Sequence, residues 1–474
     1  MLGSIVSNDQ TYVTDFIKRR MKKNKVAMSN CASLDDAQVS YLISRDCLGF
    51  PKYAHLFRTI DPALAVDGAR LLDDAIGSAL ESIIGTSVAP TERKLMGLPI
   101  KQGGIALTSC VELSPVVFIA SSKSTQHLVR NILGPTTQSA FNYISRASLM
   151  IEHATNLIHI SNPSLVQSSV ATLLEEAASI EYTGTQKVLT SAVHSASVTS
   201  LCLSTGLSTM QKAGLLMGEQ KHAGDWLHAY PTKDMRCSHE IFQIMLRSRL
   251  GLLLPCQTEI GECPFCASST VLASHALSCP FGNDKLVRHN KLQHVFFSSF
   301  GNTLDAQENP KDAIRDSATR PADIIIKDFE NGKSLCIDLT VANVDCKSYA
   351  GWISNYARGE DALGLAKKAA VSKHNKHDAT CERNGYLFVP FAMESYGGFA
   401  PETMELIEKV CSRVAAGLIK KRTSVSAYLF KKLSITLQKS NALAIIRRMR
   451  LVSPAQDVDS FFKRLPTSIL VLRG

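Results

Sequence analysis

In CPFCASSTVLASHALSC, residues 263 to 279, the spacing is Cys263-x2-Cys266, eight residues to His275 and three more to Cys279. A Cys-x2-Cys pair on a tight turn aims two thiolates at one point, and His-x3-Cys presents two further ligands from one helical turn. Four such ligands satisfy tetrahedral Zn²⁺ in a closed site that is structural rather than catalytic. The short middle separates this segment from the common two-cysteine, two-histidine finger. The metal candidates are therefore Cys263, Cys266, His275 and Cys279. The alternative is four residues without metal. Cys256 and His289 are spare ligand candidates, although His289, in LVRHNKL, better suits capping or orienting the helix that follows.

The rest of the chain is too long for one ordinary core. At 474 residues, 45% hydrophobic and 20% charged, it predicts two or three globular domains. A formal net charge of +10 favours polyanions such as nucleic acid, or acidic membrane surfaces, as partners. The N-terminus MLGSIVSNDQTYVTDF lacks the pattern of a secretory signal, and no apolar run reaches the roughly 18 residues of a membrane span. The expectation is an intracellular protein, nuclear or cytoplasmic, with no membrane partner and its thirteen cysteines reduced.

Residues 11 to about 240 read as helical, from apolar residues recurring every three or four positions. DPALAVDGARLLDDAIGSALESIIG has Asp61 as N-cap, Pro62 at the first helical position and Gly85 as terminator. Its packing face is Leu64, Leu71, Leu72, Ile76, Leu80 and Ile84. LPIKQGGIAL, residues 98 to 107, is a tight loop with no assigned site, and the Ser/Thr-rich stretch around 160 to 210 suggests loose loops or a mobile interdomain segment. After about residue 240 come the Cys/His knot, short strands with an Asn-Gly turn, a basic helix near 359 to 384 and the strand GYLFVPFAM. Amphipathic helices carrying Lys420, Lys421, Arg422, Lys431, Lys432, Arg447, Arg448 and Arg450 close the chain.

RPADIIIKDFENGKSLCIDLTV, residues 320 to 341, brings Asp323 and Asp338 into neighbouring strands. Paired carboxylates bind Mg²⁺ or Mn²⁺, and such an ion polarises a phosphate and activates water. Alternation places Asp338 and Thr340 on one face, so a lysine at 340 would have faced the site, and threonine cannot supply its charge. Along the basic helix, Leu363, Ala366, Ala370, His374, His377 and Cys381 form a stripe that packs on the sheet. Lys373 and Lys367 lie on its edges, while Lys376 and Lys368 point further away. Glu308 is an additional carboxylate candidate. Taken alone, these features also fit a structural hairpin with a solvated basic helix.

Together the knot, RHN at 288 to 290, RPAD at 320 to 323, IDLTV at 337 to 341, the helix Lys373 to Gly385 and VPFAMESYGGFAPE at 389 to 402 resemble a known family. They are similar to the C-terminal part of non-LTR retrotransposon reverse transcriptase polyproteins that carry a restriction-like endonuclease. LISRDCLGFPKYAHLFRTI, LPIKQGGIAL and VELSPVVFIASS resemble the helical thumb and linker of those elements. The resemblance implies a PD-(D/E)xK nuclease whose lysine has moved to the following helix. Asp323 and Asp338 would then hold the metal, Lys373 or Lys376 would support the chemistry, and Glu308 could assist. It also implies DNA, with element RNA as a further candidate, as partner. No palm with paired polymerase aspartates is seen, so no reverse transcription is expected from this chain alone.

The expected fold class is α+β and multidomain: a helical thumb-like region at 1–134, a helical linker at 135–240, the zinc knuckle at 241–295, the nuclease domain at 296–402 and basic helices at 403–474. The expected activity is Mg²⁺-dependent DNA nicking. The rival is a catalytically inactive or domesticated nucleic-acid-binding remnant.

Overall fold

The structure, a computed structural model, describes residues 3–134, most of 149–158, 184–252, 261–270, 275–300, 303–310, 322–343, 352–358, 363–418 and 421–452. Cys256, Arg320 and Pro321 and Lys420 fall outside them. The fold is mixed α+β and mostly helical. The described residues up to Leu207, apart from Ile100–Gly103, form one compact unit. Ile100–Gly103 and the described residues from Ser208 onward form another. Among the described residues no helix is long and apolar enough to cross a membrane.

The first unit is helical: α1 (Gln10–Ala32), α2 (Ala37–Ile43), α3 (Phe50–Phe57), α4 (Pro62–Ile84), α5 (Pro90–Gly97), α6 (Cys110–Leu133) and α7 (Gly184–Leu203). The expected punctuation of α4 holds. The Asp61 side chain accepts from the Ala63 amide, and Gly85 ends the helix at φ 69°. Its face is shifted from the one read off the leucines. Leu72, Ile76, Leu80 and Ile84 are buried, whereas Leu64 and Leu71 are only half-buried. Small residues take their place because α1 approaches closely. A Cβ at Gly68 would stand 2.2 Å from Ile17 Cγ2. The loops expected around 160 to 210 give way, over 184–203, to α7, whose Leu189 and Val193 are buried at helical spacing.

The second unit contains α8 (Thr209–Gly218), α9 (His239–Leu250), the short strands β1 (Gly261–Glu262) and β2 (Ser269–Thr270), and α10 (Asp284–Ser298). Strands β3 (Ala306–Glu308), β4 (Ile324–Glu330) and β5 (Lys333–Ala342) follow, then α11 (Trp352–Ala357), α12 (Gly364–Arg383), β6 (Leu387–Glu394), α13 (Pro401–Gly417) and α14 (Arg422–Val452). The sheet order is β3-β4-β5-β6. The first three strands are antiparallel neighbours, and β6 runs parallel to β5 after the crossover through α11 and α12. Asn331 and Gly332, at φ 51° and 73°, make the two-residue turn that pairs Glu330 with Lys333.

Period-2 alternation splits β5 between two cores. Leu335, Ile337 and Leu339, with Phe391 and Met393 of β6, join residues of α10, α13 and α14 such as Phe296, Ile407 and Leu433. Cys336 on the opposite face meets Cys381 of α12, and Ala342 meets Leu365 and Ala366. Asp338 shares the parity of Cys336 and so looks towards α12. Helices on both faces leave a polar side chain on this strand little access to water, and Asp338 is 7% exposed.

At the end of β6, the fully buried Glu394 accepts the Tyr356 hydroxyl at 2.5 Å and the Ala366 amide, in the first turn of α12, at 3.3 Å. Burial pushes its carboxyl above the ordinary glutamate value, and these hydrogen bonds oppose the shift only in part. A carboxyl whose folded pKa exceeds its unfolded one stabilises the fold below the unfolded value, and that stability is lost as pH rises through the folded value. Urea unfolding midpoints of the wild type should therefore fall as pH rises from 4.5 upward, and Glu394→Gln should flatten that slope. An unchanged slope in the variant would assign the pH dependence to other groups.

Candidate functional site

Two clusters of polar side chains stand out in the second unit. In the first, the backbone closes a tight turn after β1. The Ala267 amide donates to the Cys263 carbonyl at 2.9 Å, and the Cys263 amide donates to the Ser268 carbonyl at 3.0 Å. His275 and Cys279 lie on one helical turn, with the Cys279 amide 2.8 Å from the His275 carbonyl. Cys263 and Cys279 Sγ atoms are 3.9 Å apart, and Cys266 Sγ is 3.2 Å from His275 Nε2. One ligand atom from each of the four residues lies within 4.8 Å of all the others, so the Cys3His cluster could hold a zinc ion. Hydrogen bonds from Ser268 chiefly hold the Cys266 thiol at about 6, within reach of the thiolate form a metal requires.

Around this cluster the basic C-terminal helix is put to structural use. Arg448 is 1% exposed and ion-paired to Asp284 at 2.6 Å, and its charge lies beside the Cys279 and Cys263 thiols. A guanidinium there offsets the charge of a thiolate cluster. Arg447 and Arg448 also lie 4.6 and 5.0 Å from the centroid of the Phe265 ring. Arg288, the first residue of the RHN run, bonds the Leu277 carbonyl and Asn441, tying α10 to the cluster and to α14. Arg422 and Arg450 face Glu408 and Glu240.

The second cluster is the acid pair. Asp323 enters β4 with its amide bonded to the Ile337 carbonyl at 2.8 Å, and its Oδ2 accepts the Leu339 amide at 2.7 Å. The antiparallel register Ile324↔Ile337, carried one residue further, sets Asp323 opposite Asp338, so both carboxyls leave the hairpin on one side. The condition that the two acids share one side of the hairpin is met. From α12, Lys373 Nζ donates to Asp338 Oδ2 at 2.7 Å. Lys376, one turn further on, is exposed. Helical periodicity thus placed Lys373 on the edge of the sheet-facing stripe correctly, and the stripe residues Ala366, Ala370, His377 and Cys381 are buried.

The two carboxyls are unlike. Burial raises Asp338 most, with Asp323 adding to it and Lys373 opposing, so Asp338 lies above the ordinary carboxylate range. Burial pushes Asp323 the same way, but His289, the Leu339 amide and Asp338 outweigh it and hold Asp323 below that range.

Two histidines at this pair were not read from the sequence. His289 sits inside α10 with Nε2 3.2 Å from Asp323 Oδ2, neither in the Cys/His cluster nor at a helix cap. The reason is periodicity: one further turn of α10 carries Gln293, whose side chain bonds the Asp323 carbonyl, so both face the start of β4. His377 is 1% exposed with Nε2 3.1 Å from Asp338 Oδ2. Its position on the sheet-facing stripe was the available signal. Burial, then Lys376 and Lys373, hold it below the ordinary histidine value.

Glu308 is on β3, opposite Ile324, with its carboxylate 3.3 Å from His294. Among the described residues it does not join the aspartates in a compact group of metal-binding atoms. Thr340 pairs in register with Ala392 and is half-buried. No protein-family model matches this sequence, and none of the curated proteins compared with it matches either.

Proposed function

We propose that the second unit is a divalent-metal-dependent DNA endonuclease that nicks phosphodiester bonds, in the manner of the restriction-like nuclease of non-LTR retroelements. The observation that carries this reading is the meeting of Asp323, Asp338 and Lys373 from three different elements. Two adjoining carboxyls and a lysine from the following helix are what the relocated-lysine pattern requires. The donor set is all oxygen at the pair itself, which fits Mg²⁺ or Mn²⁺. When bound by Asp323 and Asp338, such an ion supplies charge stabilisation at the phosphate and lowers the pKa of a water.

The chain's own residues do the rest. Asp323, held ionised by the Leu339 amide and His289, keeps a fixed carboxylate at the strand entry. Asp338, paired with the Lys373 ammonium through Oδ2, would be the second carboxylate to hold such an ion, and Lys373 would then be placed to face the charge that develops on the phosphate. The Cys/His cluster, zinc-filled in this reading, is structural and holds α10 and α14 together through Arg288 and Arg448. An overall charge of +10 supports a polyanionic substrate, although several C-terminal arginines are engaged in ion pairs within the fold.

The test is conversion of supercoiled plasmid to nicked circles by the purified chain with Mg²⁺ or Mn²⁺. Nicking that EDTA stops and added metal restores is expected. Salt-sensitive DNA binding without any nicking would replace the nuclease reading with that of a nucleic-acid-binding remnant.

A further inference from the structure

Resting on the nuclease reading above, we propose that His377 is a nitrogen ligand in the cation site of Asp323 and Asp338, making that site prefer Mn²⁺ to Mg²⁺. The motivating observation is an orphan. His377 is buried to 1% exposure, yet neither Nδ1 nor Nε2 has a hydrogen-bond partner in the structure. A buried ring nitrogen without a partner costs free energy and needs a reason. Its Nε2 lies 3.1 Å from Asp338 Oδ2 but out of line for a hydrogen bond.

That spacing has a chemical meaning. Adjacent ligands of an octahedral ion with bonds of about 2.1 Å lie about 3.0 Å apart. A carboxylate oxygen and an imidazole nitrogen at 3.1 Å therefore already have the separation of two neighbouring ligands. The imidazole is held in place from behind by Phe388 of β6, with ring centroids 5.4 Å apart. His377 also stands one helical turn beyond Lys373, whose Nζ is 2.7 Å from the same Oδ2. The ammonium of Lys373 neutralises that oxygen, and among the described residues Asp323, Asp338 and His377 do not form one compact group of ligand atoms, so an ion would have to displace Nζ and draw them together. A divalent cation competes with the ammonium for Asp338 and gives Nε2 the partner it lacks.

His289 offers a contrast on the other side of the pair. It is a quarter exposed and already spent on Asp323, so it orients a carboxylate. Imidazole as a ligand favours Mn²⁺, Co²⁺ and Zn²⁺ over Mg²⁺, which prefers oxygen and retains its waters. One nitrogen in the set is enough to bias metal choice.

Pulsed electron paramagnetic resonance of Mn²⁺ added to the untagged chain, with the Cys/His cluster loaded with zinc, reads this directly. Nitrogen modulation of the imidazole type is expected in the wild type and in His289→Phe. It should be absent in His377→Phe and His377→Gln, with Mn²⁺ affinity about tenfold weaker and Mg²⁺ affinity nearly unchanged. The glutamine variant guards against a folding defect from phenylalanine, and melting temperature and zinc content check both. Mn²⁺ bound by the wild type without nitrogen modulation, or modulation that survives both His377 changes, would overturn the assignment while leaving the carboxylate site standing. Failure of the wild type to bind Mn²⁺ at all would remove His377 and the acid pair together.

Discussion

Asp338→Ala should abolish metal-dependent nicking, with a loss of at least about 10³-fold, and Lys373→Met should cost about 10²-fold. The two losses have different causes. Asp338 supplies one of the two carboxyls, so its removal should also weaken Mn²⁺ binding. Lys373 is the cation that pairs with Asp338 at 2.7 Å and, in the proposed reading, would be freed by a bound ion, so its removal should leave metal affinity equal or stronger. Stronger binding is possible because Nζ competes for the oxygen the ion needs. Lys376→Met, altering an exposed side chain one turn away, should be nearly silent. Titration calorimetry with Mn²⁺ alongside plasmid nicking separates these cases. Wild-type nicking by Asp338→Ala would eliminate the assigned site, and equal losses in Lys373→Met and Lys376→Met would point to general charge rather than to one ammonium.

The second large effect concerns the Cys/His cluster. Elemental analysis should find about one zinc per chain, and Cys279→Ser should lose it. Structural zinc in isolated fingers is worth about 10–16 kcal/mol. Here Arg288, Arg447 and Arg448 also fasten the cluster to α10 and α14, so the unit should survive as a weakened fold. A loss of about 3 kcal/mol in a unit of this size lowers the melting temperature by about 6–12 °C. The buried Arg448 should make matters worse in the variant, because it faces Cys263 and Cys279 and would keep its charge with fewer thiolates to offset it. A chain that purifies without zinc and melts at the same temperature as its chelated form would overturn the structural role.

How much could be read before the fold was known follows the range of the physics involved. The ligand spacing of Cys263, Cys266, His275 and Cys279 is a local property of a turn and one helical turn, and the structure brings the four together. The Asn331-Gly332 turn is similarly local, and with alternation it put Asp338 on the correct face. Helical periodicity aimed Lys373 at that face. The face of α4 was read less well, because side-chain size at Gly68 and Ala69 answers to a neighbouring helix.

Residue types, spacing and period thus determined most of the elements, where Cys263, Cys266, His275 and Cys279 gather, and which side of β5 and α12 is turned inward. Tertiary structure decided who meets whom across those faces. His289 on Asp323, His377 on Asp338, and Arg448 between Asp284 and the thiols are pairings between elements distant in sequence. No local pattern encodes them, because their partners are fixed only when two surfaces close and water is expelled, and burial then gives each such contact its strength.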